Sequence, residues 1–196
     1  MSARKLTRDD ILPMEEFMKI RADKRRELLA IKEKRRVPIG PFATFYFENR
    51  DTMWWQIHEM LRIEQGGEAQ IADELSAYNP LIPDGKELVA TLMFEIDEPV
   101  RRERELGRLG GVEETVEMAF LDEVIRAQAE EDVDRTNAEG KASSVQFLHF
   151  PFSDEQIAKF RSAEGEVQLR ITHPAYHHIA VLSDETRREL ARDLDA

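Results

Sequence analysis

Four consecutive polar residues, Glu48-Asn49-Arg50-Asp51, place two carboxylates, an amide and a guanidinium side by side, just ahead of both tryptophans of the chain. Carboxylate and amide oxygens bind cations, and a guanidinium recognises a carboxylate through two parallel hydrogen bonds. The same residue types also fix folds, since Asn49 or Asp51 can cap a helix and Arg50 can pair with an internal carboxylate. The corner is therefore a candidate ligand site or a candidate structural joint, and the sequence leaves both open.

The helical spacing that follows Asp51 adds further candidates to this corner. Gln56 and Glu59 lie one to two turns into the predicted helix, and His58 lies about 40° from Trp54 on an ideal helical wheel. In the functional interpretation, these groups and the corner carboxylates line a polar pocket for a metal or a small cation. In the structural interpretation, His58 is a hydrogen-bonded core histidine. The candidate binding residues are Glu48, Asn49, Arg50, Asp51, Trp55, Gln56 and Glu59.

The two tryptophans are adjacent in the sequence, so they cannot both face the same side of a helix. We expect one of them to lie in the core and Trp55 to be the more exposed. Exposed aromatic side chains mark protein interfaces more often than cofactor sites. Trp55 is therefore predicted to contact a partner or the sheet.

Three histidines fall within six residues of a predicted hairpin, at His173, His177 and His178, and His149 lies on another predicted strand. Imidazoles that converge in this way bind zinc, iron or copper. Strand alternation points His177 and His178 to opposite faces, so at most two of the three meet unless the strand is bulged. The alternative is a set of surface or core histidines that bind nothing. The candidate metal ligands are His58, His173 and His177, with iron or zinc as the candidate metals and the cofactor otherwise unknown.

Several sequence motifs of catalysis are missing. The chain contains no P-loop, no G-x-G-x-x-G and no G-x-S-x-G. His58-Glu59 resembles the start of a zinc-protease motif, but Arg62 stands where the second histidine is required. The sequence therefore identifies no known catalytic set.

Composition limits the class of protein. The chain has 196 residues, 41% of them hydrophobic and 35% charged, with a net charge of −12 and no cysteine. No apolar run reaches the roughly 18–20 residues that a membrane helix needs, and the first residues lack the apolar segment of a secretory signal. Without cysteine, disulfides and thiolate chemistry are excluded. We expect a soluble, cytoplasmic protein of bacterial type.

The charge is unevenly distributed. Between Lys19 and Arg36, nine basic residues accompany only three acidic ones, although the whole chain is acidic. A basic helix on an acidic body is expected to dock on that body or on an acidic partner. Nucleic acid is the less favoured partner, because the acidic remainder repels a polyanion.

The order of the predicted elements indicates the fold class. Helical patterns dominate the early chain, whereas most alternating strand patterns come later. The segment Val37–Pro41 is interpreted as the end of the first helix, and the polar stretch 130–144 as a loop. This order favours an α+β fold with a mostly antiparallel sheet of about six strands and four to six helices. We expect a single domain, 1–196, with a helical part at 7–36 and a mixed body at 41–196.

Motifs spread over essentially the whole chain carry a family resemblance. They are Lys5-Leu-Thr-Arg-Asp-Asp-Ile-Leu-Pro13, Arg35-Arg-Val-Pro-Ile-Gly-Pro41, Phe47-Glu-Asn-Arg-Asp-Thr52, Gln56-Ile-x-Glu-Met60, Ala77-Tyr-Asn-Pro-Leu-Ile-Pro83, Val145–Phe150, His173-Pro-x-Tyr176 and the closing Leu-Ser-x-Glu-Thr-Arg segment. With these, the chain resembles an uncharacterised bacterial family, the domain of unknown function numbered 3501. The resemblance implies no activity. Its members tend to be encoded near rubrerythrin-like proteins and iron–sulfur oxidoreductases, which implies a cytoplasmic role in redox or oxidative-stress metabolism.

The same resemblance bears on the histidines. His173 falls in the family-like His-Pro-x-Tyr segment, whereas His177 and His178 are not part of that pattern, which weakens a three-histidine metal site.

Two functional hypotheses follow. The first is a non-catalytic accessory or interaction protein that docks a partner such as a redox protein. The alternative is a metal- or cofactor-binding protein, or an enzyme, that uses the carboxylates and histidines described above. A homodimer is compatible with either hypothesis, because an uncovered sheet edge can pair across a two-fold axis.

Overall fold

The computed structural model of the chain describes residues 4–130, 140–162 and 165–195. It confirms the α+β class: six α-helices accompany two antiparallel sheets within these ranges. The helices are α1 (Met14–Lys34), α2 (Arg50–Glu64), α3 (Gly67–Tyr78), α4 (Pro99–Leu106), α5 (Asp154–Arg161) and α6 (Asp184–Leu190), with short 3-10 turns at Arg8–Asp10, Asn79–Leu81 and Val112–Thr115. The strands are β1 (Arg36–Ile39), β2 (Ala43–Glu48), β3 (Glu87–Phe94), β4 (Val116–Phe120), β5 (Glu123–Arg126), β6 (Gln128–Ala129), β7 (Val145–Pro151), β8 (Val167–His173) and β9 (Tyr176–Val181).

The strands form two sheets rather than the one that we expect from the sequence. The first sheet has the order β1-β2-β3-β7-β6 and the second has the order β5-β4-β8-β9, and all pairs are antiparallel. The segment from Glu123 to Ala129 passes from one sheet to the other at Ala127, whose N–H donates to the carbonyl of Val116. No break in the residue pattern of the segment marks this change of sheet.

The segment Val37–Pro41 does more than end the first helix. Most of it is strand β1, which pairs with β2 at the edge of the first sheet. Pro38 fits there because an edge strand can leave one side of its backbone without hydrogen-bond donors. Much of the loop predicted at 130–144 lies outside the described residues.

Two apolar layers hold the fold together. One lies between the sheets, where alternate residues of β2 and β3 such as Phe45 and Leu92 are completely buried with Met118 and Leu169 of the second sheet. The other lies on the opposite face of the first sheet, where Val89 shares a buried cluster with residues of α2 and α3. Alternate residues of β3 therefore belong to two different layers. The start of α2 lies over the first sheet.

Two of the family-like segments meet at Tyr176. Its hydroxyl donates to the carbonyl of Ile39 at 2.7 Å and accepts from the N–H groups of Phe42 and Ala43 at 3.2 and 3.1 Å. Gly40 adopts φ +67°, and a Cβ there would lie 2.6 Å from the Tyr176 oxygen. Glycine is therefore required in this turn for its backbone angle and for the close approach of the tyrosine.

None of the helices in the described ranges is both long enough and apolar enough to cross a membrane.

Candidate functional site

The inner half of the predicted corner is a buried joint. The Glu48 side chain lies at the end of β2 and is 8% exposed. One of its oxygens accepts from the Thr52 hydroxyl of α2 at 2.6 Å and the other accepts from the Thr91 hydroxyl of β3 at 2.7 Å. Both carboxylate oxygens are thus used to join two strands and a helix.

Arg35 completes this joint from the end of α1, and sequence analysis did not single it out. The side chain is 2% exposed, and it donates to the carbonyls of Phe47 at 3.0 Å and Glu48 at 2.9 Å. It also forms an ion pair with Asp193, in which burial raises the pKa of the Asp193 carboxyl although the guanidinium opposes the shift. A guanidinium with five donors can satisfy this many acceptors at once. We call Arg35, Glu48, Thr52, Thr91 and Asp193 the buried joint.

The outer half of the corner begins α2. Asn49 is the N-cap, and its side-chain oxygen accepts from the N–H of Thr52 at 3.0 Å. Arg50 pairs with Asp10 at 2.5 Å, next to the first 3-10 turn. The pKa of Asp10 lies below its usual range, mainly because its carboxylate accepts from the backbone of Thr7, and Arg50 adds to the effect. The cap and the ion pair match the structural interpretation of these two residues.

Asp51 differs from Glu48, the other carboxylate of the corner. It is exposed, and its side chain makes no hydrogen bond or close ion pair with the described residues. Its charge reaches Lys24, whose pKa is raised mainly by Glu27 and to a smaller degree by Asp51. Asp51 also lies on the wall of three adjoining cavities, of about 730, 290 and 360 Å³. Of the two corner carboxylates, only Asp51 is exposed to solvent and has no bonded partner among the described residues.

The largest of these cavities, which we call the corner cavity, joins parts of the chain that are far apart in sequence. Its wall includes residues near both ends of the chain and the turn at Asp84. Sequence analysis missed these members, because no local pattern relates residues that are about 190 positions apart. The residues of the wall are Arg4, Lys5, Asn49, Arg50, Asp51, Ile82, Pro83, Asp84, Asp193 and Asp195.

Most charges of the corner cavity are already paired within the chain. Arg4 forms an ion pair with Asp195, and the Lys5 ammonium donates to the carbonyls of Asn79 and Ile82 at 2.7 and 3.2 Å. The N–H of Asp195 donates to the carbonyl of Gly85 at 2.7 Å, which holds the end of the described chain against the cavity. With Arg50 and Asp193 also paired, the remaining charges of the wall are the Lys5 ammonium and the carboxylates of Asp51 and Asp84, which leaves an excess of one negative charge.

The second cavity, which we call the tryptophan cavity, lies on the other side of Asp51. It has a volume of about 290 Å³ and is lined by both tryptophans together with Lys24, Glu27, Leu28, Ile31, Arg50 and Asp51. Both indoles are half-buried. Trp54 donates its ring N–H to the carbonyl of Asp10 at 2.8 Å, whereas Trp55 packs edge-on against Phe17 and carries the Arg21 guanidinium 5.7 Å from its ring centroid. A ring of this kind attracts cations.

The remaining predicted binding residues of α2 lie away from these cavities. Glu59 accepts two hydrogen bonds from Arg21, at 2.6 and 2.9 Å, and further bonds from Arg62. These bonds, led by that from Arg21, hold the pKa of Glu59 below its usual range. Gln56 is half-buried and lines none of the three cavities at the corner. The structure therefore separates Gln56 and Glu59 from Asp51.

His58 is buried completely and both of its ring nitrogens are bonded to backbone. Nδ1 lies 2.7 Å from the carbonyl of Trp54, and Nε2 accepts from the N–H of Leu12 at 3.1 Å. Because Nε2 accepts, the proton is on Nδ1, and burial lowers the pKa of the imidazole, which keeps it neutral. In this arrangement neither nitrogen is directed to a metal.

The late histidines do not converge. His177 is exposed on β9, and the Nδ1 of His173 accepts from the N–H of Ala175 at 3.2 Å. His178 faces the opposite side from His177, as strand alternation predicts, and its ring packs against Tyr176. Among the residues that the structure describes, no three His, Asp or Glu side chains are placed to hold a metal ion.

His149 lies in a different polar contact, which sequence analysis did not specify. Its two ring nitrogens lie 2.9 Å from the carboxylates of Glu87 and Glu130. The bond to Glu87 is the main cause that raises the pKa of this imidazole, against the effect of burial. The contact joins β3 and β7 to the residue that follows β6.

The positive charge between Lys19 and Arg36 is largely paired with carboxylates of the chain itself. Six of the nine basic side chains form such pairs: Arg21, Lys24, Arg26, Lys34, Arg35 and Arg36. Lys19, Arg25 and Lys32 have no ion pair with the described residues. The free positive charge of α1 is therefore much smaller than its composition indicates.

Comparisons with known proteins found a family model and a solved structure to which this chain is similar. A family model with the description "Protein of unknown function (DUF3501)" matches residues 5–194. The crystal structure at 1.90 Å of a protein of unknown function from Burkholderia pseudomallei is 38% identical in sequence, with a TM-score of 0.90, and the match covers 97% of this chain and 100% of that chain. Among curated proteins, no relative was found. The Burkholderia protein shares the fold, and neither description names a ligand.

Proposed function

Since the chain belongs to the family Protein of unknown function (DUF3501), as its motifs predict, we propose its function from the geometry of the corner. The proposal is a non-catalytic accessory protein that binds a small organic cation, such as an amine, at Asp51. The position of Asp51 carries this proposal: an exposed carboxylate without a bonded partner among the described residues, where three cavities meet.

The charge of the site favours a cation. Arg4, Arg50 and Asp193 are all engaged in ion pairs within the chain, and Lys5 is held by two carbonyls. Against the Lys5 ammonium, the carboxylates of Asp51 and, at the turn, Asp84 then leave one negative charge in excess on the wall of the corner cavity. An excess of one sign of charge in a cleft favours ligands of the opposite sign.

The surroundings of Asp51 favour an organic cation over a bare metal ion. On one side, both indoles line the tryptophan cavity, and indole rings attract alkylammonium groups, as the Arg21 guanidinium beside Trp55 illustrates. On the other, the corner cavity has a volume in the range that holds small organic ligands. A metal ion held by a protein takes several oxygen ligands, and no three acidic or histidine side chains within the described ranges are grouped for this purpose.

The other titratable groups of the corner support a binding role rather than catalysis. Glu48 accepts hydrogen bonds from two hydroxyl groups, and Glu59 accepts hydrogen bonds from two arginines. Both ring nitrogens of His58 are hydrogen-bonded to backbone groups. General acid–base catalysis requires a group with a proton or lone pair directed at a substrate. These three side chains direct their protons and lone pairs at other groups of the protein.

Tryptophan fluorescence tests the proposal directly, because Trp54 and Trp55 are the only tryptophans of the chain and both line the cavity beside Asp51. We would titrate the untagged protein with 1,4-diaminobutane, L-lysine and choline, and with neutral 1,4-butanediol and anionic succinate as matched probes. We expect a saturable change with at least one amine and none with the neutral and anionic probes.

A pair of variants decides whether Asp51 is responsible. Asp51→Asn removes the charge and keeps the shape, so the response should weaken by about tenfold or more. Asp73→Asn, the same change at an exposed position of α3, should leave it unchanged. Equal responses in the two variants, or no response to any amine, would refute the proposal.

The expected redox partner stays a prediction that comes from the family resemblance. Iron or zinc is tested separately by elemental analysis of untagged protein, since a polyhistidine tag would itself bind these metals.

A further inference from the structure

Helix α1 presents an unusual stripe to solvent. The residues Glu15, Met18, Ala22, Arg25, Leu29 and Lys32 recur at alternating spacings of three and four, which places them on one side of a helix. Met18 is 50% and Leu29 59% exposed, Glu15, Ala22 and Arg25 are exposed, and Lys32 is half-buried. We call these six residues the α1 stripe.

The α1 stripe is distinct from the side of the helix that packs on the rest of the chain. Phe17 and Leu28, the buried residues of α1, precede Met18 and Leu29 by one position each and therefore point about 100° away. Phe17 contacts Trp54, Trp55 and His58 of α2. Beside this contact, Met18 and Leu29 keep half or more of their surface exposed.

The α1 stripe is complementary to itself when two copies run antiparallel. Centring the pair between residues 23 and 24 brings Met18 opposite Leu29 of the second copy, and Glu15 opposite its Lys32. Ala22, the smallest side chain of the stripe, then lies opposite Arg25 of the second copy. Met18 thus meets an aliphatic side chain and Glu15 meets an ammonium, and two-fold symmetry produces every contact twice.

The charges of the stripe support this register and this direction. Lys32, which meets Glu15 in this register, is one of the three basic side chains of the segment 19–36 that have no ion pair with the described residues. In a parallel pair, Glu15 would face Glu15 and Lys32 would face Lys32, with repulsion at both ends. Polar residues in a helix–helix seam commonly select the direction and register of the pair in this way.

We propose that the chain forms a homodimer through antiparallel packing of α1 against α1 of a second copy. The occupant of the stripe is thus this protein itself, and the ligand site at Asp51 is not required for the association. One helix pair is a small interface, so the dimer is expected to dissociate on dilution.

Sedimentation velocity of the full chain over a concentration series tests the dimer, against a monomer mass of 22.8 kDa. The variant Met18→Asp/Leu29→Asp should remain monomeric throughout. The control is Ile179→Asp, which places a charge on an equally exposed aliphatic residue of β9 and should leave the dimer intact. A wild-type protein that stays monomeric, or a dimer that is lost in the β9 variant and kept in the α1 variant, would overturn the proposal.

Charge reversal tests the antiparallel register. Glu15→Lys alone and Lys32→Glu alone should each raise the dissociation constant by about tenfold, because each change breaks two symmetric pairs. The combined variant Glu15→Lys/Lys32→Glu should restore wild-type affinity. Failure of the combined variant to recover, with each single variant weakened, would exclude this register.

A distance measurement gives a second test of direction. The chain has no cysteine, so a spin label at Glu33→Cys reports on one site only. In the antiparallel pair, residues 33 and 14 lie at the same level, which separates the two labels by about 28 Å along the axis at 1.5 Å per residue. Labels about 10 Å apart would indicate a parallel pair and contradict the proposal.

Discussion

Glu48 and Asp51 are carboxylates three positions apart in one corner of the chain, and the structure gives them opposite surroundings. Glu48 points into the buried joint, where two hydroxyls bind its oxygens and Arg35 binds its carbonyl. Asp51 points outward into three cavities and makes no bond to the described residues. The difference teaches that a cluster of polar residues in a sequence can contain residues that hold the fold together and residues that are free to bind a ligand. Burial distinguishes the two kinds.

The strongest test of this comparison is Arg35→Ala. The change leaves a buried carboxylate at Asp193 and two backbone carbonyls without their donor, so the free energy of unfolding should fall by about 3–5 kcal/mol. Urea denaturation followed by circular dichroism measures the loss. The neighbouring change Arg36→Ala, whose side chain is largely exposed and lies 3.8 Å from Glu95, should cost no more than about 0.5 kcal/mol. Similar losses for the two variants would show that Arg35 is not a central member of the joint.

Glu48→Ala is the second test and acts inside the same joint. It leaves the hydroxyl of Thr91 without an acceptor and the hydroxyl of Thr52 with only the carbonyl of Asn49 at 3.0 Å, and the expected loss of stability is about 2 kcal/mol. A double-mutant cycle with Thr91→Val isolates the bond between the two side chains, for which we expect a coupling of about 1 kcal/mol. Strictly additive losses would show that the 2.7 Å contact contributes nothing of its own.

His149 is an intermediate case, since its side chain is 17% exposed and is bonded to two carboxylates. Its pKa is raised in the folded protein, mainly by Glu87, so protonation favours folding. The stabilisation is complete below the unfolded pKa of about 6.5 and is lost as the pH rises through the higher folded pKa. His149→Gln should therefore destabilise the protein by about 1 kcal/mol at pH 6 and by less at pH 9.

Thermal unfolding at the two pH values measures this difference, and His177→Gln, at an exposed histidine of β9, is the matched control. A loss in the His149 variant that is equal at both pH values would contradict the role of the proton.

Asp51→Asn is expected to have the smallest effect on stability, no more than about 0.5 kcal/mol, because only its favourable position in the first turn of α2 is lost. The same variant should lose the response to amines described above. A large destabilisation by Asp51→Asn would remove the distinction between the two halves of the corner.

The local parts of this structure follow from the sequence. The helix that follows the corner is confirmed, as is the hairpin that carries the late histidines, in which Val167–His173 pairs antiparallel with Tyr176–Val181. Each depends on residues a few positions apart, where backbone geometry and hydrogen-bonding reach act directly.

The candidate site could be predicted only in part, and the outcome differs from residue to residue. Asn49, Arg50, Asp51 and Trp55 line the cavities at the corner, so their grouping in the sequence was informative. Lys5 and Asp84 reach the same cavity from distant segments, which no spacing rule relates to the corner. Arg35 looks like one more cation in a basic helix, and only its burial distinguishes it from Arg36.

By itself, the sequence determined the α+β class, the polar corner at the start of a helix, and the presence there of carboxylates and tryptophans. Only the tertiary structure decided that the strands divide into two sheets, that Glu48 is enclosed, and that Asp51 remains open to three cavities. The physical reason is that periodicity and capping are properties of neighbouring residues. Burial depends on which distant segments close over a side chain, as when Asp193 meets Arg35 across 158 positions of the chain.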